Sequence, residues 1–493
     1  MPTFTDICRR ATIARLVIVP SALLVVHGCG FASERVSVRD PGVTKTAVVS
    51  DQAAADSRPA GAPPNPPLLQ GALTLDEALT LAFEQNPDLG AAAERIGEAE
   101  ARVGEATSAF FPQVSTRLSY ARTDNPAQAF GMILAQRRFS PGMDFNNPGI
   151  TQDWRPEIVG ALPLFRGGQD VQRRAAAVLG AEAARLERSA MRNALADAVV
   201  AAYYALLTAP EQVEVTRKSI AAVDSALAQA RARYDTGAAL KSDALSLEVR
   251  LAAAREANVR AHNAVELART GLCVLLGLPA DAPVEVMAGE TTPPAGVPAD
   301  FAAALQLAMA HRPEIQAAAR AVAMREHELR AERAAYLPRI DAVASYGQDD
   351  TNLEFSRRQD NWMVGATAEL DLFSGFRTVQ RVQAAKRLLA EARQAERKTR
   401  LEIEREVKTA FLTFQEASER ARVTEAAVAA AEEALRLVEA QYQAGTVTIT
   451  RYLEAEVART DARSHAIAAR YDARRAEAGL RKAVGRWAEG NPQ

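Results

Sequence analysis

The sequence predicts a mainly helical fold that carries four short membrane β-strands and consists of two copies of one unit. Residues 377–444 contain neither glycine nor proline and space their apolar side chains three or four positions apart, which is typical of one long helix. Its stop, Tyr442-Gln-Ala-Gly445, recurs 208 residues earlier as Tyr234-Asp-Thr-Gly237. Two stretches in each copy instead alternate polar and apolar residues, as β-strands do. The repeated unit is therefore helix, strand, strand, helix and helix.

The amino terminus is predicted to be an export signal, residues 1–28. Arginines precede an apolar run at residues 16–26 that is too short to span a membrane stably. A single transmembrane anchor is the alternative. Val26-His-Gly-Cys29 resembles a bacterial lipoprotein signal, so Cys29 is the predicted lipidation site, with ordinary cleavage after a small residue as the alternative. The proline-rich residues 29–72 are predicted to be a flexible tether, or a chain wrapped on a surface, rather than a domain.

Composition and motifs argue against nucleic-acid binding and against catalysis. Without residues 1–28, 56 Lys and Arg residues stand against 60 Asp and Glu residues, a net charge of −4. The three cysteines offer no disulfide framework. No P-loop, nucleophile elbow or paired-cysteine zinc spacing occurs in the sequence. We therefore predict no enzyme activity, no catalytic residue, no metal site and no cofactor.

The two repeats are predicted at residues 73–277 and 300–487, joined by a linker at 278–299 and followed by a tail at 488–493. A capping box, Thr74-Leu-Asp-Glu77, begins a short helix in the first repeat, and Asp300 holds the equivalent position in the second.

Prolines then mark both ends of a second helix in each repeat. Pro87 and Pro313 are predicted at its first helical position. It is predicted to reach Phe111 in one copy and Leu337 in the other, where the next residue is again proline.

The strands are predicted at residues 113–120, 154–165, 339–346 and 362–373, about the length that spans a membrane. Aromatic residues fall at their loop ends and predict a membrane-interface belt: Tyr120, Trp154, Tyr346 and Trp362. The alternative is an ordinary hairpin packed on a soluble core. Residues 121–153 and 347–361 are predicted to be outward loops, the first of them 18 residues longer.

The first long helix is predicted at residues 169–236, with a kink or a local break near Thr208 because Pro210 follows. A last helical segment is predicted at 239–277 and, in the second repeat, at 447–485. The second and last helices of a repeat together nearly match the long helix. We therefore expect them to stack end to end and to lie antiparallel to it.

Four strands cannot close into a barrel, so the strands predict an oligomer. An open sheet edge in lipid leaves backbone groups unpaired at a cost of several kcal/mol each. Two chains would supply eight strands and three would supply twelve. The polar face of the strands favours twelve, since that barrel leaves a lumen whereas eight strands are filled by side chains.

The order and double occurrence of short motifs resemble the TolC-like outer-membrane efflux protein family over residues 73–487. The motifs are the two helix stops together with Asn86-Pro87, Phe111-Pro112, Leu162-Pro-Leu-Phe165 and Leu370-Asp-Leu-Phe373. The resemblance implies a homotrimer with a twelve-stranded β-barrel in the outer membrane of a Gram-negative bacterium, continued by a long α-helical periplasmic tunnel. It also implies the passive export channel of a tripartite efflux or type I secretion system. Its partners would be a periplasmic adaptor and an inner-membrane pump of the RND, ABC or MFS type.

The same resemblance assigns two sets of site residues. The helix-turn tips would dock the adaptor through Gly237, Ala238, Leu240, Ser242, Gly445, Thr446, Val447 and Thr448. The periplasmic gate would involve Tyr442 and Glu454, with Arg451 at a position that the family usually fills with an acidic residue. For Glu454 the alternative is a solvated helix carboxylate.

Two other classes of function compete with the channel. A periplasmic coiled-coil scaffold or adaptor would account for the helices but not for four alternating strands with matched aromatics. An enzyme in a helical bundle would need a convergent polar cluster, which the sequence does not indicate.

Overall fold

Both repeats consist of two short helices, a β-hairpin and a long antiparallel helix pair. The computed structural model describes residues 71–287, 298–352 and 359–487. The predicted signal, Cys29, most of the tether and the tail lie outside the described residues. The first repeat contains α1 (Leu75–Gln85), α2 (Pro87–Ser108), β1 (Gln113–Thr123), α3 (Pro126–Ala135), β2 (Thr151–Arg166), α4 (Gln169–Asp235) and α5 (Lys241–Leu275). The second contains α6 (Phe301–His311), α7 (Pro313–Arg333), β3 (Arg339–Gln348), β4 (Asp360–Glu369), α8 (Arg377–Gln443) and α9 (Ile449–Ala483).

The predicted duplication is reproduced in the order of the α-helices and strands, apart from α3. Helices α8 and α9 begin and end 208 residues after α4 and α5, and α6 begins and ends 226 residues after α1. The predicted capping box is confirmed, because the Thr74 hydroxyl accepts from the Glu77 backbone and the Glu77 carboxylate accepts from the Thr74 backbone. Asp300 caps α6 by accepting from the Ala303 N–H at 2.7 Å.

Pro87 and Pro313 begin α2 and α7, as predicted. The predicted ends of these helices at Phe111 and Leu337 are wrong by three or four residues. Helix α2 ends at Ser108 and a turn follows, while α7 passes into a short 3-10 helix, Ala334–Tyr336. The residue before a proline is disfavoured in the α conformation, which explains why neither Phe111 nor Leu337 is helical.

The strands form one antiparallel sheet in the order β1-β2-β3-β4. All four predicted strands are present, but β4 ends at Glu369 rather than at residue 373. Glu369 pairs with Arg339, the first residue of β3, so no β3 residue remains to pair with the next four. Strand β2 runs further, to Arg166, by means of an irregularity between Pro163 and Phe165.

The segment at residues 121–153 is not only a loop, because it contains the helix α3. Asn125 caps this helix by accepting from two backbone N–H groups, and Pro126 occupies its first position. The extra length of the first repeat thus forms an ordered element at the loop end of the sheet.

The long helices pack as predicted. Helix α4 lies along α2 and α5, and α8 lies along α7 and α9. The shorter helices meet end to end: the Asn86 amide at the start of α2 donates to the last carbonyl of α5, Leu275, at 3.0 Å. At the equivalent position Arg312 donates to the Ala483 carbonyl of α9 at 3.3 Å.

Pro210 lies inside α4, which remains helical from Gln169 to Asp235, so of the predicted kink or local break the break is wrong and the kink stays a prediction. Proline cannot donate to the carbonyl four residues earlier. Burial of Tyr203, Leu206 and Ala209 beside this point stabilises the helix around the missing hydrogen bond.

Apolar cores lie along the helices at several levels. One joins α1, α4 and α5 and includes Leu278 and Val284, so part of the predicted linker packs with the first repeat. Another lies near the helix turns and joins α4 and α5 to α8 and α9.

Candidate functional site

The two helix turns at the far ends of the long helices have the same capping geometry. Gly237 (φ 74°) and Gly445 (φ 73°) adopt the left-handed conformation that glycine tolerates best. The Ala238 N–H bonds to the Arg233 carbonyl at 2.7 Å, and the Thr446 N–H bonds to the Gln441 carbonyl at 3.0 Å. The predicted helix stops are therefore confirmed as C-caps.

The residues predicted to dock an adaptor lie at these two turns. All are solvent-exposed except Val447, which is half-buried: Gly237, Ala238, Leu240, Ser242, Gly445, Thr446 and Thr448. Leu240 is an exposed large apolar residue. The structure thus places them together at one end of the helices, and their docking role remains a prediction.

Tyr442, predicted as a gate residue, is buried between the two helix pairs. Its ring stacks on Tyr452 with centroids 5.5 Å apart. The Arg233 guanidinium lies 5.4 Å from the Tyr442 ring centroid and donates to the Gln443 carbonyl at 3.0 Å. Burial raises the pKa of Tyr442, opposed by Arg233, and raises the pKa of Tyr452 to about 12. Both hydroxyls are therefore neutral at physiological pH.

Arg451 and Glu454 do not lie with Tyr442 in the core. Both are exposed on α9, and the Arg451 guanidinium pairs with the Glu454 carboxylate at 3.2 Å. The charge of Glu454 is therefore balanced within the chain. An exposed pair of this kind contributes less than about 1 kcal/mol to stability.

A carboxylate that the sequence analysis did not select, Glu456, is fully buried nearby. It accepts from Ser219 of α4 at 2.6 Å, from Arg250 of α5 at 2.9 Å and from Thr460 of α9 at 2.9 Å. One side chain therefore ties the second helix pair to both helices of the first. The sequence pattern could have predicted the burial of Glu456, since it follows buried Tyr452 by four residues on the apolar stripe of α9.

The sheet presents one apolar face and one polar face. Residues paired in register share a face, and alternate residues of a strand share it too. The apolar face carries Val114, Leu118, Ile158, Leu162, Ile340 and Val364, and most of these side chains are exposed. The polar face carries Ser115, Arg117, Arg155, Glu157, Asp341, Thr367 and Glu369.

The four aromatic residues of the predicted belt all lie on the apolar face. Tyr120 pairs with Trp154, with ring centroids 4.5 Å apart, and Tyr346 pairs with Trp362. The two pairs are offset along the strands, because Tyr346 lies opposite Ile158 rather than Trp154. Their role at a membrane interface remains a prediction.

Two further features of the described residues concern membrane-spanning helices and groups of metal ligands. Among the described residues, no helix combines the length and the apolar character needed to cross a membrane. Within the same residues, no three His, Cys, Asp or Glu side chains converge as metal ligands would.

Comparison with protein families gives a match over both repeats. The profile described as "Outer membrane efflux protein" matches residues 78–278 and 304–486. Among curated proteins, Protein CyaE of Bordetella pertussis is 29% identical over 328 residues, which cover 64% of this chain and 63% of CyaE. The pyoverdine export outer membrane protein OpmQ of Pseudomonas aeruginosa is 22% identical over 84% of this chain and 85% of its own length.

Among solved structures, the Campylobacter jejuni CmeC outer membrane channel superposes with a TM-score of 0.73. The identity is 17%, and the match covers 83% of this chain and 85% of CmeC. This likeness concerns the fold: long helices continued by strands.

Proposed function

Because the chain belongs to the outer membrane efflux protein family, we propose that it is the outer-membrane channel of a tripartite efflux or type I secretion system. It acts as a passive export duct with no catalytic role. The single observation that carries this proposal is the four-stranded sheet, which has an apolar face, a polar face and two free edges.

The free edges support assembly from several copies. Within the described residues, the outer edges of β1 and β4 have no paired strand. In lipid each unpaired backbone group costs several kcal/mol, so the edges require partners. Three copies supply twelve strands, with the apolar faces toward lipid and the polar faces around a water-filled lumen. The barrel then lies in the outer membrane of a Gram-negative bacterium.

The long helices support a periplasmic tunnel that extends from this barrel. Helices α4 and α8 each contain 67 residues, which corresponds to roughly 100 Å. The helix turns at their ends are the proposed contacts of a periplasmic adaptor, which connects the channel to an inner-membrane pump.

The proposed gate lies just above these turns. Tyr442 acts from the buried position between the helix pairs, while Arg451 and Glu454 act from the exposed face of α9. Since those two charges neutralise each other, three copies would carry a ring of ion pairs there rather than an acidic ring. At the other end of the molecule, Tyr120, Trp154, Tyr346 and Trp362 are the proposed interface belt.

The chain ends belong to the same proposal. Residues 1–28 direct export, Cys29 is acylated and anchors the mature chain to the membrane, and 29–72 form the tether. Mass spectrometry of the mature amino terminus tests this directly. An unmodified amino terminus at another residue would contradict the acylation.

The channel is tested on detergent-solubilised, purified protein. We expect a native mass of three chains by light scattering and ion conductance in a planar lipid bilayer. A monomer without conductance would refute the proposal. Fractionation with the soluble periplasm would instead favour a scaffold protein.

A further inference from the structure

Helix α3 and the residues that follow it, 126–145, form a segment that lies over the polar face of the sheet; we name it the loop segment. Helix α3 contacts β2, and three residues of the segment have almost no solvent exposure: Ala129, Ile133 and Gln136. The Gln136 amide donates to the Gln152 carbonyl at 2.8 Å and to the Asp153 carboxylate at 2.9 Å. Asp153 lies on the polar face, two residues before Arg155.

The loop segment is also held from β4. The Arg137 guanidinium donates to the Asp360 carbonyl at 3.0 Å, and the Gln359 amide donates to the Gln136 carbonyl at 3.3 Å. Arg137 itself has a positive φ of 54°, which is uncommon outside glycine. Contacts to both β2 and β4 therefore fix the segment over the end of the sheet.

The loop segment carries an apolar surface that the chain does not cover. Phe130, Phe139 and Phe145 form an aromatic cluster with ring centroids 4.7–6.1 Å apart. Nevertheless Phe139 is 46% exposed, Phe145 is 54% exposed and Leu134 is 48% exposed. Lipid is not the expected cover, because the segment lies on the polar face and lipid contacts the apolar one.

The size of the proposed barrel indicates what covers the exposed apolar surface of the loop segment. Twelve strands spaced about 4.8 Å apart and tilted by about 40° form a ring roughly 24 Å across. Three helices of about 10 Å diameter, packed against one another, fill a circle roughly 22 Å across. Three loop segments held over the inner face of such a ring therefore reach one another and leave little open area.

We propose that the loop segments of three copies meet at the outer mouth of the barrel and form an apolar seal there, a second gate at the opposite end from the helix turns. This inference rests on the proposed channel function and adds to it a closure on the extracellular side. Narrow apolar constrictions block water and ions by dewetting, so Leu134, Phe139 and Phe145 supply the barrier.

Access to the lumen from outside the cell tests the seal. Ser115→Cys places a thiol on the polar face of β1, well below the loop segment, in a Cys273→Ser background. We expect a polymer-linked maleimide added to intact cells to label it slowly. The triple variant Leu134→Ser, Phe139→Ser, Phe145→Ser should raise the labelling rate about tenfold or more, because the mouth becomes wetted.

The matched control carries the same chemical changes at the other end of the sheet. Leu372, Phe373 and Phe376 are also exposed, and the serine triple variant at these positions should leave the labelling rate unchanged. Rapid labelling of Ser115→Cys without any change in the loop segment would overturn the seal. An equal increase in both triple variants would overturn it too.

A second variant keeps the test independent of how well the triple variant folds. Phe145→Cys in the Cys273→Ser background should give covalent dimers with a short bis-maleimide, whereas Leu372→Cys should give none. Light scattering of the same sample separates the two proposals. A trimer that does not cross-link at Phe145→Cys refutes the seal alone, while a monomer refutes the channel itself.

Discussion

Glu454 and Glu456 are two residues apart on α9 and have opposite environments. Glu454 is exposed and pairs with Arg451 on the same helix, whereas Glu456 is fully buried and hydrogen-bonded to residues of three helices. Breaking a buried ion pair by removing one partner is far more costly than breaking an exposed one, because the remaining charge stays desolvated.

We therefore predict that Glu456→Ala lowers the free energy of unfolding by about 3 kcal/mol, since Arg250 and Arg459 lose their buried partner. Glu454→Ala should cost less than about 1 kcal/mol. Chemical denaturation followed by circular dichroism measures both. Equal losses in the two variants would contradict the assigned role of Glu456.

Arg312 is the buried charge at the other end of the helix pairs. Its side chain is 5% exposed and pairs with Glu314 and Glu406, each at 2.9 Å. Burial alone would raise the pKa of Glu406, but Arg312 and Lys482 together hold it below its ordinary value. A carboxylate with a lowered folded-state pKa stabilises the fold above its ordinary pKa and loses that effect as the pH falls through the folded-state value.

Glu406→Gln should therefore lower the free energy of unfolding by about 2 kcal/mol at pH 7, with a difference that shrinks below pH 4.5. Thermal unfolding across that pH range measures it. Glu402→Gln is the control, because Glu402 is exposed and pairs with Lys398 at 3.6 Å. A deficit that stays constant with pH would show that the Glu406 charge is not responsible.

At the scale of elements, four glycines end long helices in the same conformation but in different surroundings. Gly237 has open space where a Cβ would be placed, whereas a Cβ on Gly277 would lie 2.5 Å from the Gln85 carbonyl oxygen. Gly485 repeats the close approach, since its Cβ would lie 3.2 Å from the His311 carbonyl. In each repeat the last helix thus contacts the end of the first.

Alanine at Gly237 should cost about 1 kcal/mol, the strain of a left-handed residue. Gly277→Ala should cost about 2 kcal/mol more, because the backbone of Gln85 must also move. Denaturant midpoints of the two variants give the comparison. Equal destabilisation of the two variants would mean that the Gln85 backbone at the end of α1 moves aside at no cost in free energy.

The two faces of β4 give a second prediction, from adjacent residues. Val364 lies on the apolar face and Met363 on the polar face. Val364→Lys should hinder insertion into lipid by about 2–4 kcal/mol, while Met363→Lys should insert almost normally. Folding into lipid vesicles, followed by resistance to heat in detergent gels, separates the variants. Equal insertion of both would contradict the orientation of the sheet.

The hydrophobic period and the glycine, proline and capping residues predicted the elements well where a segment's own residues decide its structure. The long helices, the strands and the caps could be predicted because their residues follow one period between residues that end a helix or strand. Helix α3 was missed although Asn125 and Pro126 are a readable helix start. The end of β4 could not be read from its own residues, since it depends on where β3 begins.

The candidate site was less predictable for a similar reason. The positions of the helix turns follow from their glycines, whereas the burial of Tyr442 and Glu456 depends on how the two helix pairs meet. Helix α4 likewise continues through Pro210 because the residues around it are buried, and local helix preference does not predict that burial.

At the scale of the described molecule, the repeats are joined by contacts along much of their length. The Asn193 amide donates to the Lys482 carbonyl at 2.9 Å, and the Gln212 amide donates to the Ser464 carbonyl at 3.0 Å. Nearer the helix turns, Ser219 of the first repeat donates to Glu456 of the second, and Arg233 donates to the Gln443 carbonyl. Neither repeat therefore buries its apolar surface alone.

We predict that a chain divided between residues 287 and 298 is recovered only when both halves are made in the same cell. Each half alone should aggregate, because α4 packs against α7 and α9 of the other repeat. Affinity purification through a tag on one half, with quantitation of the other, measures the association. A first half that is soluble and folded alone would contradict this dependence.

The equal helix lengths restrict how such a protein can change in evolution. Helices α4 and α8 both contain 67 residues, and α5 and α9 both contain 35. Seven residues added to α8 and α9 alone would carry Gly445 about 10 Å beyond Gly237 and leave an uneven rim. We therefore expect insertions and deletions to keep the rim even only when α4, α5, α8 and α9 change in length together, so the proposed reach of the tunnel would change in coordinated steps.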